Sequence, residues 1–413
     1  MNRFDVCVLG RGAVGQALAL ALARLGLRVA LGGAAPAGGP DVRTYALSAR
    51  SVALLQQLRV WDALLAATPS VATRVTAMQI QGDAGGRLEF SAWQQRVTEL
   101  AWIVDAAALE RELATALRFS PHVTLTDTAE PVALTALCDG RDSPQRAALG
   151  VEMKRVDYGQ RAIAARLDCD RPHQNTAHQW FRAPDVLALL PFDLPPAASE
   201  QPANPAAAQP PARAPTSIPT PTSAPAGGKR ADWPAAVHGQ GYGLVWALPD
   251  ARADELLALD DAAFEQALEH ATQGAAGRLR LRGVRAAWPL RLARTTRWHG
   301  PGWVLLGDAA HVVHPLAGQG LNLGLADVQT LATVLAEGRK REPWRALGDE
   351  RVLARYTRAR AAPTWAMSRV TDGLLQLFAH EAAPLEELRN RGLSLVNHLS
   401  PLKRWLTDRA LRS

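Results

Sequence analysis

The first residues of the chain group their apolar positions in a way that predicts a strand, a helix and a second strand. Phe4–Leu9 is a short apolar, β-branched run typical of a buried parallel strand. After a glycine-rich turn, Gln16–Leu25 is rich in alanine and leucine, which favour helix, and Gly26 ends it. Leu27–Leu31 is a second apolar run. Strand, turn, helix and strand within about 30 residues make a βαβ unit.

The middle of the chain changes to short strand-like segments, which predicts an antiparallel sheet forming the wall of a cavity. These segments are Ala162–Leu167, Thr176–Phe181, Val186–Pro191 and Tyr242–Leu248. Val304–Leu306 has the pattern of another buried strand. Helical spacing is found at Ser48–Leu65, at Ala107–Leu117 and from about Leu321 to Glu337, and the remaining residues are helical in pattern and rich in arginine.

One internal segment has a composition that predicts disorder. Pro195–Pro225 contains ten prolines and many alanine, serine and threonine residues. Such a segment buries too little apolar surface to offset its ordering entropy. Because strand signals resume beyond it, we expect a protruding loop of the sheet, about 195–232, rather than a boundary between two domains.

Composition and charge narrow the class of protein. The chain has 413 residues and a formal net charge of +7, with no apolar run long enough to cross a membrane. It has no basic stretch interleaved with stacking aromatics, so nucleic acid is not an expected partner. Cys7, Cys138 and Cys169 are far apart, which predicts neither a disulfide framework nor a zinc site. We expect a cytoplasmic protein.

A glycine motif follows the first strand. Gly10-Arg11-Gly12-Ala13-Val14-Gly15 is a G-x-G-x-x-G sequence that opens a helix. The first glycine allows a tight turn, the second lets a pyrophosphate approach the backbone, and the third lets helix and strand pack closely. The helix N-terminus supplies amide donors and positive potential. This context predicts dinucleotide binding, with a glycine-rich structural turn as the alternative.

An acidic residue normally ends the second strand of such a unit and binds ribose hydroxyls. Here that place holds Gly32 and Gly33, and the nearest carboxylate is Asp41. The sequence therefore predicts either a different hold on the adenosine end or a weaker affinity for the nucleotide.

A longer motif runs from Gly307 to Asn322. It consists of Gly307-Asp308-Ala309-Ala310-His311 followed by His314-Pro315-Leu316-Ala317-Gly318-Gln319-Gly320-Leu321-Asn322. With these residues the sequence resembles the flavoprotein aromatic hydroxylases, of the type of para-hydroxybenzoate hydroxylase, and within them the ubiquinone-biosynthesis hydroxylase branch. His311 and His314 are also candidate metal ligands, but no further ligand cluster supports a metal site.

The resemblance implies a role for each part of this motif. Asp308, after Gly307, would hold the ribityl hydroxyls of FAD. The helix entered through Gln319 and Leu321 would point its N-terminus at the pyrimidine edge, where reduced flavin carries negative charge. The flavin ring pocket would be shaped by Pro315, Gly318, Gly320 and Asn322.

Two further stretches extend the resemblance. Cys138-Asp139-Gly140 resembles the internal Asp-Gly motif of the family, from which Asp139 and Arg146 would lie near the FAD pyrophosphate, although Asp-Gly alone is an ordinary turn signal. Arg43, before Ala46-Leu47-Ser48, would approach the flavin or its phosphates, with a surface salt bridge as the alternative. About 20 residues separate the helix ending near Leu117 from the Asp-Gly motif, a shorter connection than the family's pattern.

The expected fold class is α/β, with a Rossmann-like FAD-binding domain on a parallel sheet, interleaved with an antiparallel-sheet substrate domain and a helical C-terminus. We expect residues 1–160 and 285–345 to form the discontinuous FAD-binding domain and residues 161–284 the substrate domain. Residues 346–413 would form the helical C-terminal region.

The resemblance implies a monooxygenase in which NAD(P)H, a transient visitor, reduces FAD and a flavin C4a-hydroperoxide hydroxylates an aromatic ring. The implied substrates are dioxygen and a prenylated phenol of ubiquinone biosynthesis. No catalytic residue stands out. Two alternatives stay open: a non-catalytic scaffold in a ubiquinone-biosynthesis assembly, and a flavin dehydrogenase or reductase without oxygen insertion. The basic amphipathic stretch Leu385–Leu411 could touch the inner membrane or a partner protein, or pack as a terminal helix on its own domain.

Overall fold

A computed structural model describes residues 3–34, 41–68, 70–82, 85–127, 130–193, 240–313 and 319–379. The strands in chain order are β1 (Val6–Leu9), β2 (Val29–Gly32), β3 (Thr44–Leu47), β4 (Ala72–Val75), β5 (Ala77–Gln81), β6 (Arg87–Ser91), β7 (Ala101–Asp105), β8 (Val123–Leu125), β9 (Leu134–Leu137), β10 (Met153–Cys169), β11 (Thr176–Arg182), β12 (Asp185–Asp193), β13 (Gln240–Pro249), β14 (Leu279–Thr295), β15 (His299–Gly300), β16 (Trp303–Leu305) and β17 (His311–Val312).

The helices are α1 (Ala13–Ala23), α2 (Ala49–Gln57), α3 (Trp61–Ala66), α4 (Ala92–Gln95), α5 (Ala106–Arg118), α6 (Pro144–Ala148), α7 (Asp250–Ala258), α8 (Asp261–Thr272), α9 (Gln319–Arg341) and α10 (Glu350–Ala379). A 3-10 turn covers Gly307–Ala309. The expected insertion at 195–232 and the amphipathic stretch Leu385–Leu411 lie outside the described residues.

The predicted βαβ unit is the centre of a six-stranded sheet with the order β15-β16-β9-β1-β2-β8. β1 pairs in parallel with β2 and with β9, and β8 and β16 extend the sheet in parallel. Helix α1 is buried along almost its whole length because it lies between this sheet and the helices α5 and α9. Its alanine and leucine composition therefore follows from packing on all sides.

An eight-stranded sheet, with the order β17-β14-β10-β13-β12-β11-β5-β6, forms the second layer. Its described pairs are antiparallel except for β5 with β11. One face packs on α7 and α8 through a core that includes Trp246, Phe264 and Leu268. The sheet takes β5 and β6 from within residues 1–160, so sheet membership crosses the expected domain limits, and the division into domains stays a prediction.

The helical pattern at Ser48–Leu65 forms two helices, α2 and α3, instead of one. Arg59 has a φ of 61°, which breaks the helical backbone between them. The break lets Leu58, Val60 and Trp61 all be buried on one core. A three-stranded sheet with the order β3-β7-β4 joins this region to the eight-stranded sheet.

Candidate functional site

A cavity of about 810 Å³ lies between the two large sheets. This volume falls within the range of about 300–1,000 Å³ that is typical of ligand and cofactor sites. One part of its wall is the start of α1, and the opposite part is the face of the eight-stranded sheet turned away from α7 and α8. The predicted site residues that line it are Gly12, Ala13, Val14, Arg43, Asp308, Gly320 and Leu321.

The glycine loop is built as its spacing predicts. Gly10 has a φ of +119°, and a Cβ there would collide with the backbone of Cys138. A Cβ on Gly15 would overlap the carbonyl oxygen of Gly10, so the third glycine is what allows α1 to pack on β1. Gly12, by contrast, has no atom within 4 Å of the place where its Cβ would be, within the part of the chain that the structure describes. The loop therefore presents open backbone to the cavity at Gly12.

Helix α1 begins without a capping side chain. Gly12 is its N-cap residue and has no side chain to accept a hydrogen bond from the first-turn amides. The first amides of a helix need acceptors, and the helix dipole makes this end favourable for an anion. An uncapped N-terminus on a cavity wall can therefore hold a phosphate group.

The 3-10 turn presents Asp308 to the cavity. Gly307 has a φ of 57°, a left-handed conformation that favours glycine. Asp308 is accessible through the cavity while protein atoms surround its other sides, and this desolvation raises the pKa of the carboxyl against the lowering effect of His311, Arg141 and Arg43. Asp308 is thus an acceptor placed where hydroxyl donors could bind it.

Arg43 lies at the cofactor end of the cavity in a cluster of charges. Its guanidinium forms hydrogen bonds with Asp41, with Nη2 at 2.7 Å from Oδ2, and Nη2 lies 3.9 Å from Oε1 of Glu110. Hydrogen bonding to Asp41 raises the pKa of Arg43. Burial raises the pKa of the neighbouring Tyr45 to about 12, so its phenol stays protonated.

Asn322 does not line the cavity. Its side-chain oxygen accepts hydrogen bonds from the Ser48 amide at 2.9 Å and from Ser51 Oγ at 2.7 Å, and its Nδ2 donates to the Ala46 carbonyl at 2.7 Å. These bonds join the start of α9 to the segment after Arg43. Asn322 therefore supports the pocket from behind, by fixing β3 and α2 against α9.

The Asp-Gly motif places Asp139 and Arg146 behind the cavity wall. Asp139 Oδ2 accepts a hydrogen bond from Ser143 at 2.7 Å, and burial raises the pKa of this carboxyl. Arg146 donates to the carbonyls of Ala309 and Arg141 at 3.0 and 2.9 Å. It is Arg141 that lines the cavity. Arg146 thereby ties the Asp308 turn to the segment that carries Arg141.

Several cavity residues were not singled out from the sequence. Arg141 follows the Asp-Gly motif and Tyr45 follows Arg43 by two positions, so both lie within recognised stretches. Glu110 gave no signal, because it lies on an amphipathic helix whose pattern reports only the buried leucines. Pro315 and Gly318, with His314, lie outside the described residues, and Gln319 begins α9.

His311 takes part in a buried hydrogen-bond network. Within the described ranges no three candidate metal ligands come together. His311 Nε2 instead forms a hydrogen bond with Oδ2 of the fully buried Asp327 at 2.7 Å, and its ring stacks on Trp298. Asp327 Oδ2 also accepts from the Gly307 amide at 3.0 Å. The histidine belongs to a buried network that holds the Asp308 turn.

The residues present fit FAD. The open backbone at Gly12 and the uncapped start of α1 suit a pyrophosphate, with Arg43 and Arg141 as nearby cations. Asp308 suits the ribityl hydroxyls. At Gly320 no atom of the described residues lies within 4 Å of the position that a Cβ would take, which leaves room for a flat ring beside the backbone. These features are independent of one another and lie on one cavity.

Comparison with known proteins agrees with this assignment. A family model described as FAD binding domain matches residues 3–136 and 131–371. The chain is 29% identical to a ubiquinone hydroxylase, UbiL, of Rhodospirillum rubrum, over 98% of this chain and 89% of the relative. It is 28% identical to 3-demethoxyubiquinol 3-hydroxylase of Escherichia coli, over 98% of both chains.

Among solved structures, p-nitrophenol 4-monooxygenase PnpA from Pseudomonas putida is similar in fold. The TM-score is 0.69 at 14% identity, and the match covers 98% of this chain and 97% of that chain. The expected fold class, a Rossmann-like parallel sheet interleaved with an antiparallel sheet, is confirmed. Since the family model covers most of the sequence and the cavity carries the groups that FAD requires, the chain belongs to the FAD-binding-domain family of flavoproteins.

Proposed function

We propose that this protein is an FAD-dependent monooxygenase that hydroxylates the aromatic ring of a prenylated phenol in ubiquinone biosynthesis. The observation that carries the proposal is one continuous cavity, which runs from the start of α1 and Asp308 to an apolar sheet face. A cofactor at one end of such a cavity can react directly with a substrate at the other. The names of the relatives from Rhodospirillum rubrum and Escherichia coli support ubiquinone precursors as the substrate class.

The cofactor end has a group for each part of FAD. The start of α1, with Arg43 and Arg141, would balance the pyrophosphate charge, and Asp308 would accept hydrogen bonds from the ribityl chain. The N-terminal turn of α9, at Gly320 and Leu321, would place helix-dipole potential beside the flavin ring. When bound and reduced by NAD(P)H, FAD supplies the activation of dioxygen, which no side chain of the twenty amino acids provides.

The substrate end is lined mainly by small apolar side chains. They leave space for a ring stacked against the cofactor, and the apolar surroundings suit a prenyl tail and exclude water from the reaction. The alanines that line this end are Ala162, Ala164, Ala177, Ala188 and Ala247, and they are joined by Val186, Leu190, Val245 and Leu290.

A prenylated substrate resides in membranes, so delivery to the cavity needs a peripheral contact with the inner membrane or with other ubiquinone-biosynthesis proteins. Among the described residues, no helix is both long and apolar enough to cross a membrane. The basic amphipathic stretch Leu385–Leu411 supports such a contact from its sequence alone. Co-flotation of the full chain with anionic vesicles, and its loss when the arginines of this stretch are neutralised, would test it.

The first experiment is the absorption spectrum of the purified protein, followed by a reaction with NAD(P)H, a prenylated phenol and labelled dioxygen. Bound flavin together with one labelled oxygen atom in the product is the expected result. Bound flavin and NAD(P)H oxidation without label in the product would favour the reductase alternative. A protein that binds no flavin even at high FAD concentration would leave the scaffold alternative.

A further inference from the structure

The adenosine end of the cofactor site lacks the usual acid. In a dinucleotide-binding fold the ligand lies beyond the carboxyl ends of the parallel strands, and a carboxylate after the second strand binds the ribose. Here β2 ends at Gly32 and is followed by Gly33. Gly33 has a φ of +102°, and a Cβ there would lie 3.1 Å from the Gly10 amide nitrogen. The glycine loop therefore lies where the Cβ of an acidic residue at position 33 would have to be.

Arg11 crosses this same edge of the sheet. It follows β1, and its Nη2 donates to the carbonyl of Thr126, just after β8, at 2.9 Å. The Thr126 amide in turn donates to Leu31 in β2 at 3.0 Å. The guanidinium therefore spans the ends of β1, β2 and β8. Gln16 donates to the carbonyl of Arg11 at 2.7 Å and so fixes its backbone.

The guanidinium of Arg11 retains unused donor capacity. Its side chain is 20% exposed, so part of it is open to solvent, while Nε is buried and has no hydrogen-bond partner among the residues that the structure describes. Its only ion pair there is with Asp127, at 3.8 Å, and the Asp127 side chain is fully exposed to solvent. A guanidinium has five N–H donors, so its exposed part can still donate to a ligand that supplies an acceptor.

We propose that Arg11 binds the adenosine ribose of FAD in place of the missing acid. The inference rests on FAD being the cofactor. A guanidinium donates to ribose oxygens, whereas a carboxylate accepts from ribose hydroxyls, so the chemical selectivity of the subsite is inverted. In NADP-binding folds an arginine near the ribose accommodates the 2′-phosphate. The subsite therefore favours an anionic substituent on the ribose, which an acid there would repel.

The first test compares binding of FAD and FMN to the full-length apoprotein by flavin fluorescence. FMN lacks the adenosine, so an effect at the ribose changes FAD affinity alone. We expect Arg11→Ala to weaken FAD binding by roughly tenfold to a hundredfold, as for a lost charged hydrogen bond, and to leave FMN binding unchanged. Asp127→Asn is the matched control and should bind both flavins as the wild type does, because the Asp127 carboxylate is exposed.

The second test is a competition experiment on the wild-type protein and on Arg11→Ala. Adenosine 2′,5′-bisphosphate should displace FAD from the wild-type protein better than 5′-AMP, and Arg11→Ala should abolish that preference. Equal FAD affinity in wild type and Arg11→Ala, an equal loss of FAD and FMN, or weaker competition by the bisphosphate would overturn the proposal. A loss of FAD affinity in Asp127→Asn would assign the ribose to that carboxylate and overturn it too. A wild-type protein that binds no flavin would overturn the flavin function itself, which separates the two failures.

Discussion

Asp327 joins the Asp308 turn to α9 and α10, and its replacement by asparagine tests how this junction is held. The carboxylate is fully buried and accepts from the Gly307 amide at 3.0 Å, from His311 Nε2 at 2.7 Å and from Arg360 Nε at 2.6 Å. Burial by itself would raise the pKa of Asp327, but His311 and Arg360 outweigh it and lower this pKa. Asp327→Asn removes the charge and leaves the buried Arg360 without its counterion.

The expected cost follows from that uncompensated charge. Breaking a buried ion pair by removing one partner costs about 3–5 kcal/mol. Arg360 keeps one hydrogen bond, from Nη2 to the Leu323 carbonyl. We therefore expect Asp327→Asn to lower the free energy of unfolding by an amount in the lower part of this range. The control is Asp254→Asn. Asp254 pairs with Arg161 at 2.6 Å, but its side chain is 68% exposed, and such pairs contribute at most about 1 kcal/mol.

The pH dependence has a defined sign. Because the folded-state pKa of Asp327 is lowered, its carboxylate stabilises the protein above the unfolded-state pKa, and this contribution is lost as pH falls through the folded-state pKa. The difference in the free energy of unfolding between wild type and Asp327→Asn should thus be constant near neutral pH and shrink only in acid.

The assay is urea unfolding followed by tryptophan fluorescence, with midpoints compared at equal slope. The double variant Asp327→Leu with Arg360→Met removes both charges, and should be less destabilised than Asp327→Asn. The reasoning would be refuted if the free energy of unfolding of Asp327→Asn were within about 1 kcal/mol of the wild type, or no lower than that of Asp254→Asn. Either result would be the effect expected for a solvent-exposed ion pair.

Three further predictions concern the cavity. Gly15→Ala should unfold or aggregate, because its Cβ would overlap the Gly10 carbonyl. Gly12→Ala should keep the thermal midpoint of the wild type and lose FAD affinity. Equal thermal midpoints for the two variants would contradict this. Asp308→Asn should weaken FAD binding yet stabilise the apoprotein at neutral pH. The folded-state pKa of Asp308 is raised, so ionisation of its carboxyl destabilises the folded protein as pH rises through that pKa. FAD titration tests the first effect, and calorimetry at two pH values tests the second. Ala164→Phe should bind FAD normally but lose substrate-stimulated NAD(P)H oxidation by filling the substrate end, and unchanged stimulation would show that the substrate lies elsewhere.

The sequence predicted the parts of the fold that depend on neighbouring residues. The first strand, α1 and β2 follow from apolar periodicity and from the conformations that Gly10 and Gly26 allow. The longer motif from Gly307 to Asn322 pointed to the flavin family through residue types at fixed spacing. The helix break at Arg59 was missed. The left-handed conformation of Arg59 is strained, and only the packing of α2 and α3 on a shared core offsets that strain.

The roles of individual site residues depended on contacts between distant parts of the chain. Asn322 was expected at the ring pocket, and it forms hydrogen bonds with Ser48, 274 positions away in sequence. Arg146 was expected near the pyrophosphate, but it bonds Ala309 and leaves Arg141 to line the cavity. Neither outcome has a local signal, because a motif fixes where a residue lies along the chain and not which way its side chain points.

By itself, then, the sequence determined the glycine loop, because the loop depends on backbone conformations that a few adjacent residues dictate. It indicated the class of cofactor through the family resemblance of the motif from Gly307 to Asn322. Tertiary structure decided that β5 and β6 join the substrate-side sheet, that Asp327 holds the Asp308 turn, and that Arg11 reaches the edge where an acid is missing. The physical reason is that these arrangements arise from packing and hydrogen bonds between segments far apart in sequence, whose energies no local pattern encodes.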